Sequence, residues 1–295
     1  LELGKRAEEG KAFDLIILRK TYEKILELVS SEFQEKCRTV IDDCLDVVRI
    51  ELEKAMEKKE FADEVRSKTL AYSGEILMSH MMEYILQSQG IKSKVVGLDN
   101  WPIITDSNIE STNFLASESN KKVEFLERLL DENQVITIGG FIGRTADGVI
   151  TTYERGGSDR TAADLGILLH KKFDVKINLE KDSSVVSADP RIVKDGLTEV
   201  HSISYNEARL AGMFGMNILD PIAIKEILEN GASLPIVITD MRNPEKTTTI
   251  ERKPNNDNGH PIKIITGKKN CAILRIEDEF VHKLLESLEN KKRYS

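Results

Sequence analysis

The chain has 295 residues, of which 40% are apolar and 31% charged, so it can bury the core of one large domain, or of one domain with a smaller addition. Its formal net charge of −8 disfavours nucleic acid phosphates and anionic membranes as partners. The three cysteines are too sparse for a disulfide scaffold or a zinc site, and no transmembrane run or signal peptide is found, which together indicate a cytoplasmic protein.

The first part of the chain, residues 1–90, predicts helices. Apolar residues recur at helical spacing among charges through residues 12–59. A third helical pattern, "GEILMSHMMEYILQSQG", closes at Gly90, a residue favoured just past a helix end. This part therefore predicts a helical lobe.

Short β-branched runs then alternate with amphipathic helical patterns. The predicted strands are "KSKVVGL", "NQVITIGG", "DVKINL" and "LPIVITD". The predicted helices between them are "KKVEFLERLLDE", "RTAADLGILLHKKF", "SYNEARLAGMFG" and "DPIAIKEILENG". This alternation predicts βαβ units and an α/β fold with a largely parallel sheet.

The polar segment at residues 251–261, rich in Pro, Gly and Asn, predicts a linker. Residues 262–295 read as a strand followed by a helix. They are too few for a complete domain, so we expect a small C-terminal addition.

The segment "YERGGSDRTAADLG" places charges around a glycine pair at a predicted helix start. Gly156 and Gly157 allow close backbone approach, and Ser158 suits the N-cap of a helix beginning near Arg160. Exposed N–H groups at a helix N-terminus bind anions. The pattern therefore indicates a site for an anionic substrate, with an ordinary capped turn as the alternative.

Arg155 and Asp159 flank this glycine pair. The guanidinium of Arg155 matches a pair of carboxylate or phosphate oxygens. Asp159 would repel an anion, so its presence needs another reason: it could hold a lysine, hold a metal, or accept from a ligand ammonium. The residues alone leave these three roles open, beside a solvated Arg/Asp pair.

Two further segments favour the site over the turn. Gly139 and Gly140 follow the predicted strand "QVITI", where α/β folds place ligands at the carboxyl edge of the sheet. "SADPR", Ser187 to Arg191, is a turn with one carboxylate and one arginine, and by itself predicts no more than a turn. The P-loop, HExxH, CxxC and GxSxG motifs are absent from the sequence.

In this order and spacing the segments resemble the aspartate kinases of the amino-acid kinase family, from about residue 1 to residue 250. The most specific match is "GGFIGRTADGVITTYERGGSDRTAA". The remaining matches are "SGEIL", "PIITDSN", "SADPRIV", "EARLAGMFGMNILDP" and "LPIVITDMRNPEKTTTI". Residues 262–295 look like the opening of a regulatory ACT region, cut short.

The resemblance implies an open, mainly parallel αβα sandwich: a catalytic domain at residues 1–250 whose helical substrate-side lobe is residues 1–90. It implies that ATP, with Mg²⁺, phosphorylates L-aspartate to 4-phospho-L-aspartate, the first step of lysine, threonine and methionine biosynthesis. It also implies a homodimer or a higher homo-oligomer.

The resemblance assigns a role to each matched residue. Arg155 clamps the spectator carboxylate of aspartate, Glu75 accepts from its ammonium, and Gly156, Gly157 and Ser158 lie near the substrate. Asp159 is the catalytic residue, which orients the groups that stabilise the transferring phosphoryl.

On the nucleotide side, the resemblance assigns no residue to a metal. The residues expected to bind the nucleotide are Gly139, Gly140, Ser187, Asp189, Arg191 and Asn217.

The nucleotide half departs from the family pattern. Glu180 and Lys181 stand where the family has a Thr-Asp pair, and Val186 stands where it has an aromatic residue. Asn217 replaces the family's lysine, and Asp220 replaces its histidine. One alternative is therefore a degenerate member of the family that binds an amino acid, or acts as a regulatory subunit, with little kinase activity. Another is a phosphotransferase of the same fold acting on a different carboxylate or on a carbamate.

The start of the chain carries one further expectation. Leu1 opens inside an apparent helix, and the family's first strand, with its phosphate-contacting lysine, has no match here. We expect the natural protein to have a strand and a Gly-rich loop with a lysine before Leu1. Without them, we expect Asp159 to lack a lysine partner and these 295 residues to phosphorylate little aspartate.

Overall fold

The computed structural model describes residues 1–154, 156–216, 218–254 and 262–267. Residues 1–90 are helical, as predicted. Their helices are α1 (Glu2–Glu8), α2 (Ile16–Ile25), α3 (Ser31–Lys58), α4 (Asp63–Leu70) and α5 (Ile76–Ser88). A single π-helical turn, Ala71–Glu75, joins α4 to α5. Such turns are frequent at functional sites, and this one carries Glu75.

A stripe of buried side chains explains why the long helix α3 forms and packs. Its members recur at intervals of three and four residues, the period of one helix face. They are Cys37, Ile41, Cys44, Leu45, Val48, Leu52 and Ala55. The first four share a core with Leu77 and Met81 of α5, and the last three pack with Ala7 of α1.

The middle of the chain alternates strands and helices. The elements are β1 (Ser93–Val95), α6 (Ala116–Asn120), α7 (Val123–Glu132), β2 (Val135–Thr137), β3 (Ile142–Arg144), β4 (Ile150–Thr152) and α8 (Gly157–Leu169). Strands β1 and β2 pair in parallel, whereas β3 and β4 form an antiparallel hairpin. Helix α8 follows this hairpin directly.

The last part of the described chain is a four-stranded sheet with two helices. The elements are β5 (Ile177–Lys181), β6 (Ser202–Ser204), α9 (Tyr205–Met213), α10 (Pro221–Glu229), β7 (Ile236–Asp240) and β8 (Asn243–Glu251). The strand order is β5-β7-β8-β6, with β5 parallel to β7, β7 antiparallel to β8, and β6 parallel to β8. Apolar residues of α8, α9 and α10 form one core with these strands.

This architecture confirms the predicted α/β fold with a parallel sheet and helices. Of the C-terminal addition, only residues 262–267 are described. There the backbone N–H of Ile265 donates to the carbonyl of Ser187 at 2.8 Å. The ACT-like character expected for residues 268–295, and most of the linker, lie outside the described residues. Within the described ranges, no helix is both long and apolar enough to cross a membrane.

Candidate active site

The predicted substrate-binding residues Glu75 and Ser158 lie on either side of the Gly139–Gly140 pair. A β-carbon on Gly139 would lie 3.2 Å from Glu75, and one on Gly140 would lie 2.9 Å from the Ser158 hydroxyl oxygen. A side chain at either position would require its neighbour to shift. Burial raises the pKa of Glu75, and the backbone N–H of Gly140 partly offsets this by stabilising the carboxylate.

The turn after β2 is strained and fastened to α8. Phe141 has a φ of +68°, in the left-handed region that residues with a side chain rarely adopt. Its backbone N–H donates to the Thr161 hydroxyl at 2.9 Å, and that hydroxyl donates to the Gly157 carbonyl at 3.1 Å. Strain of this kind persists where the surroundings enforce it, as at ligand sites.

Helix α8 begins earlier than predicted. Its N-cap is Gly156, with φ at +95°, and Ser158 lies in the first helical turn. The prediction that Ser158 caps the helix is therefore wrong: the left-handed conformation of Gly156 lets the chain turn into the helix two residues sooner. Gly157 has no room for a side chain, because a β-carbon there would lie 2.4 Å from Tyr153. The exposed Ser158 is thus left facing Gly140.

Asp159 has a lysine partner after all. The Lys181 ammonium, at the carboxyl end of β5, donates to Asp159 Oδ2 at 3.0 Å. The backbone N–H of Asp220 donates to the same oxygen at 3.2 Å. The expectation that Asp159 lacks a lysine is therefore wrong, because the fold brings the end of β5 to the start of α8. The expectation of little aspartate phosphorylation, which rested on that missing lysine, loses its ground with it. Among the open roles of Asp159, holding a lysine is the one observed.

Asp220, at the position of the family's histidine, acts as a helix cap. Its carboxylate accepts from the backbone N–H of Ile222 at 2.9 Å, at the start of α10. Burial is the largest cause that raises the pKa of Asp220, and the nearby Asp159 and Glu154 act in the same direction.

A cleft of about 740 Å³ opens beside Lys181. Its volume is within the range of small-molecule sites. Apolar side chains of strand β7 and of the connecting segments line part of it: Val185, Val186, Met216, Ile218, Ile238 and Met241. Pro190 and a set of polar and charged residues complete the lining: Glu180, Lys181, Asp182, Ser183, Ser184, Asp189 and Arg191. An apolar wall with a charged end suits a nucleotide, which has a flat base and an anionic tail.

The turn predicted to bind nucleotide forms one side of this cleft. Arg191 is four-fifths exposed and pairs with Asp189 at 2.7 Å. Hydrogen bonds from Arg191 hold the pKa of Asp189 at about 2. The Ser187 hydroxyl accepts from the backbone N–H of Thr198 at 3.1 Å, and Ser187 is not among the residues lining the cleft.

A buried ion pair holds α8 against α10. The Arg160 guanidinium donates to both carboxylate oxygens of Glu226, at 2.6 and 3.4 Å, and to the Thr112 carbonyl at 3.2 Å. It also lies 4.1 Å from the centre of the Tyr153 ring. These contacts fix the helix whose first turn carries Ser158 and Asp159.

The described residues offer no group of three or more metal-ligating side chains able to hold a metal alone. Mg²⁺ in a nucleotide site needs fewer protein ligands, because one or two carboxylates together with the phosphates of the nucleotide hold it. Glu180 and Asp182 line the cleft and fit that requirement.

The structure thus brings together Glu75, Gly139, Gly140, Ser158 and Asp159, with Asp189 and Arg191 on the cleft. Arg155 and Asn217 lie outside the described residues, so their roles stay predictions. Lys181 was missed as a functional residue. Its position at the carboxyl end of a predicted parallel strand is the signal that could have found it.

Comparisons with known proteins bear on this geometry. The amino acid kinase family profile matches residues 21–240. The bifunctional aspartokinase/homoserine dehydrogenase 2 of Arabidopsis thaliana is 31% identical over 224 residues, 73% of this chain and 24% of the relative. The aspartokinase of Rickettsia felis is 30% identical over 206 residues, 70% of this chain and 49% of the relative. The chain thus spans half or less of these two relatives.

Among solved structures, E. coli aspartokinase III in complex with aspartate and ADP shares the fold. Its TM-score is 0.74 at 22% sequence identity, and the match covers 86% of this chain and 56% of that one. The same enzyme in complex with lysine and aspartate matches with a TM-score of 0.72 over the same shares.

Proposed function

We propose that this chain, which belongs to the amino acid kinase family, transfers the γ-phosphoryl group of ATP to the side-chain carboxylate of L-aspartate. A carboxylate oxygen attacks the γ-phosphorus, the bond from that phosphorus to the β,γ-bridging oxygen breaks, and ADP leaves with 4-phospho-L-aspartate as product. The observation that carries the proposal is that Ser158 and Asp159, adjacent in the first turn of α8, form a junction between the amino-acid side of the site and the cleft. Ser158 meets Gly140 beside Glu75, and Asp159 meets Lys181 on the cleft.

On the amino-acid side, Glu75 would accept from the substrate ammonium. Its partly buried position favours a cationic partner, since the pairing offsets the cost of keeping the carboxylate ionised there. Ser158 and the first turn of α8 would face the reacting carboxylate. Arg155 would clamp the spectator carboxylate, a role that rests on the sequence resemblance.

On the nucleotide side, the apolar lining of the cleft would hold the base, and the phosphates would extend toward Lys181 and Asp159. Mg²⁺ would neutralise phosphate charge during transfer, with Glu180 and Asp182 as the carboxylates that fit it. Phosphoryl transfer depends mainly on positioning and charge stabilisation, which is what this junction offers.

The names of the relatives support the choice of aspartate and a place in amino-acid biosynthesis. We extend the proposal to the first step of lysine, threonine and methionine synthesis and to a homo-oligomeric assembly. The degenerate binding protein, suggested by the altered nucleotide half, is not favoured, because that half still presents a cleft lined by Lys181, whose ammonium pairs with Asp159.

The test is release of ADP from MgATP by the chain, followed with a coupled assay over a panel of acceptors. We expect L-aspartate to give the highest kcat/KM, with L-glutamate, D-aspartate and carbamate far below it. Turnover that is highest with another carboxylate or with carbamate would assign the chain to a different phosphotransferase of this family. ADP release that is the same with and without acceptor would contradict the proposal.

A further inference from the structure

We propose that Lys181 binds the polyphosphate of the nucleotide and neutralises phosphate charge at the point where the cleft meets the amino-acid side of the site. The inference rests on the proposed function and deepens it by assigning the phosphate-neutralising cation. The observation behind it is that one side chain belongs to both regions: Lys181 lines the cleft and is bonded to Asp159 of α8.

The backbone of Lys181 is firmly placed. It is the last residue of β5 and pairs in parallel register with Asp240 of β7. Its carbonyl accepts from the backbone N–H of Met241 at 2.9 Å. Ligands of open α/β sheets bind at the carboxyl ends of the strands, and Lys181 occupies that end of β5.

The ammonium of Lys181 also has capacity to bind a ligand. A lysine ammonium has three N–H donors, and the contact with Asp159 uses one of them. The Lys181 side chain is 21% exposed, so it is held in place yet reachable from the cleft. A partly desolvated cation of this kind interacts with phosphate more strongly than one in bulk water.

The start of α8 adds to the positive potential here. Asp159 offsets the lysine charge, but it stands in the first turn of a 13-residue helix, where backbone N–H groups supply partial positive charge. The backbone N–H of Asp220 also donates to the Asp159 oxygen that Lys181 contacts. Two donors therefore share one oxygen of the Asp159 carboxylate, which weakens its repulsion of an incoming anion.

The other cation that lines the cleft among the described residues is Arg191, and it is placed differently. Its partner Asp189 is two residues away in the same turn, and its side chain is four-fifths exposed. Screening by water weakens such a charge. Lys181 is thus the better candidate for the phosphates, and Arg191 lies toward the rim.

The experiment compares Lys181→Met with Lys176→Met, which makes the same charge change immediately before the first residue of β5. Lys176 is exposed and lies about 17 Å from Lys181 along the strand. Binding of MgATP, adenosine and L-aspartate is measured by titration calorimetry on the 295-residue chain. We expect Lys181→Met to weaken MgATP binding by about 10- to 100-fold, the usual effect of losing a charged hydrogen bond. Adenosine and L-aspartate binding should be unchanged, Lys176→Met should match wild type, and Lys181→Arg should retain most of the affinity.

Other outcomes overturn the inference in distinguishable ways. Unchanged MgATP binding in Lys181→Met, with wild type binding both ligands, removes the role of Lys181 and leaves the proposed function standing. Loss of adenosine and L-aspartate binding together makes Lys181 a purely structural residue. Failure of wild type to bind MgATP and L-aspartate overturns the proposed function itself.

A second measurement does not depend on the folding of a variant. The wild-type chain is acetylated with N-hydroxysuccinimide acetate, with and without MgATP, and the modified peptides are counted by mass spectrometry. We expect MgATP to protect Lys181 and not Lys176. Equal modification of Lys181 with and without saturating MgATP would contradict the assignment.

Discussion

Breaking the buried pair of Arg160 and Glu226 should be among the most destabilising single changes in the chain. The side chain of Arg160 is 4% exposed and that of Glu226 is 12% exposed. Arg160→Met removes the bidentate contact and leaves the Glu226 carboxylate with little water to replace it. Removing one partner of such a pair costs about 3–5 kcal/mol of unfolding free energy.

The double variant distinguishes the cost of an unpaired buried charge from the cost of lost packing. Because Glu226→Leu removes the stranded carboxylate, Arg160→Met with Glu226→Leu should recover most of the lost stability. A matched control lies on the same helix: Lys225 pairs with Glu229 at 3.7 Å, and both side chains are about 60% exposed. Lys225→Met should cost about 0.5 kcal/mol or less, because water and salt screen the pair.

The assay is urea unfolding followed by circular dichroism at constant pH. The slope of unfolding free energy against urea concentration is compared between variants, because a changed slope signals a change other than stability. A cost for Arg160→Met no larger than that for Lys225→Met would show that burial does not strengthen the Arg160–Glu226 pair. A double variant less stable than either single variant would show that the pair's geometry, and not the unpaired charge, sets the cost.

Further expected results concern the site and the core. Burial raises the pKa of Asp164 well above 3.8, so the native state binds more protons than the unfolded state. The free energy of unfolding should therefore fall as pH rises above about 4. Asp164→Asn should flatten this pH dependence in urea titrations from about pH 4 to about pH 8. The raised pKa of Glu75 should make L-aspartate binding tighten as pH rises through it, and Glu75→Gln should lose that dependence in calorimetry. Burial raises the pKa of Cys37 to about 11 and of Cys44 to about 12, so in a Cys271→Ser chain at pH 8 a thiol-reactive dye should label them only after denaturation.

Glycine at position 140 provides one more test. A β-carbon there would meet the Ser158 hydroxyl at 2.9 Å, so Gly140→Ala should weaken L-aspartate binding by about tenfold or more. At Gly97 an added carbon meets open space, and Gly97→Ala should bind as wild type does. Equal affinities for the two variants in calorimetry would contradict the placement of Gly140 in the site.

Much of the fold follows from local pattern. Helices α3, α7 and α10 carry long apolar stripes, strand β7 is a β-branched run, and strand β5 alternates buried and exposed residues, so each was predictable. Strand β6 has three residues, too few for a period to show. The antiparallel pairing of β7 with β8 depends on a tight turn at Asp240–Asn243 whose geometry the sequence pattern did not reveal.

The site was predictable where its residues are adjacent in sequence, as at Gly139–Gly140 and Gly156–Asp159. The start of α8 was misplaced because the positive φ of Gly156, rather than the hydroxyl of Ser158, sets it. The contact of Lys181 with Asp159 joins residues 22 positions apart through the packing of β5 beside α8. Periodicity and local propensity describe neighbouring residues only, so they cannot predict such a tertiary contact.

In the proposed reaction, an acyl phosphate forms on the side chain of L-aspartate. The most direct measurement incubates the chain with MgATP, L-aspartate and hydroxylamine, which converts an acyl phosphate into a stable hydroxamate, and identifies the product by mass spectrometry. We expect aspartate β-hydroxamate in amounts equal to the ADP released, and none without ATP. ADP release in the presence of L-aspartate without any hydroxamate would contradict it.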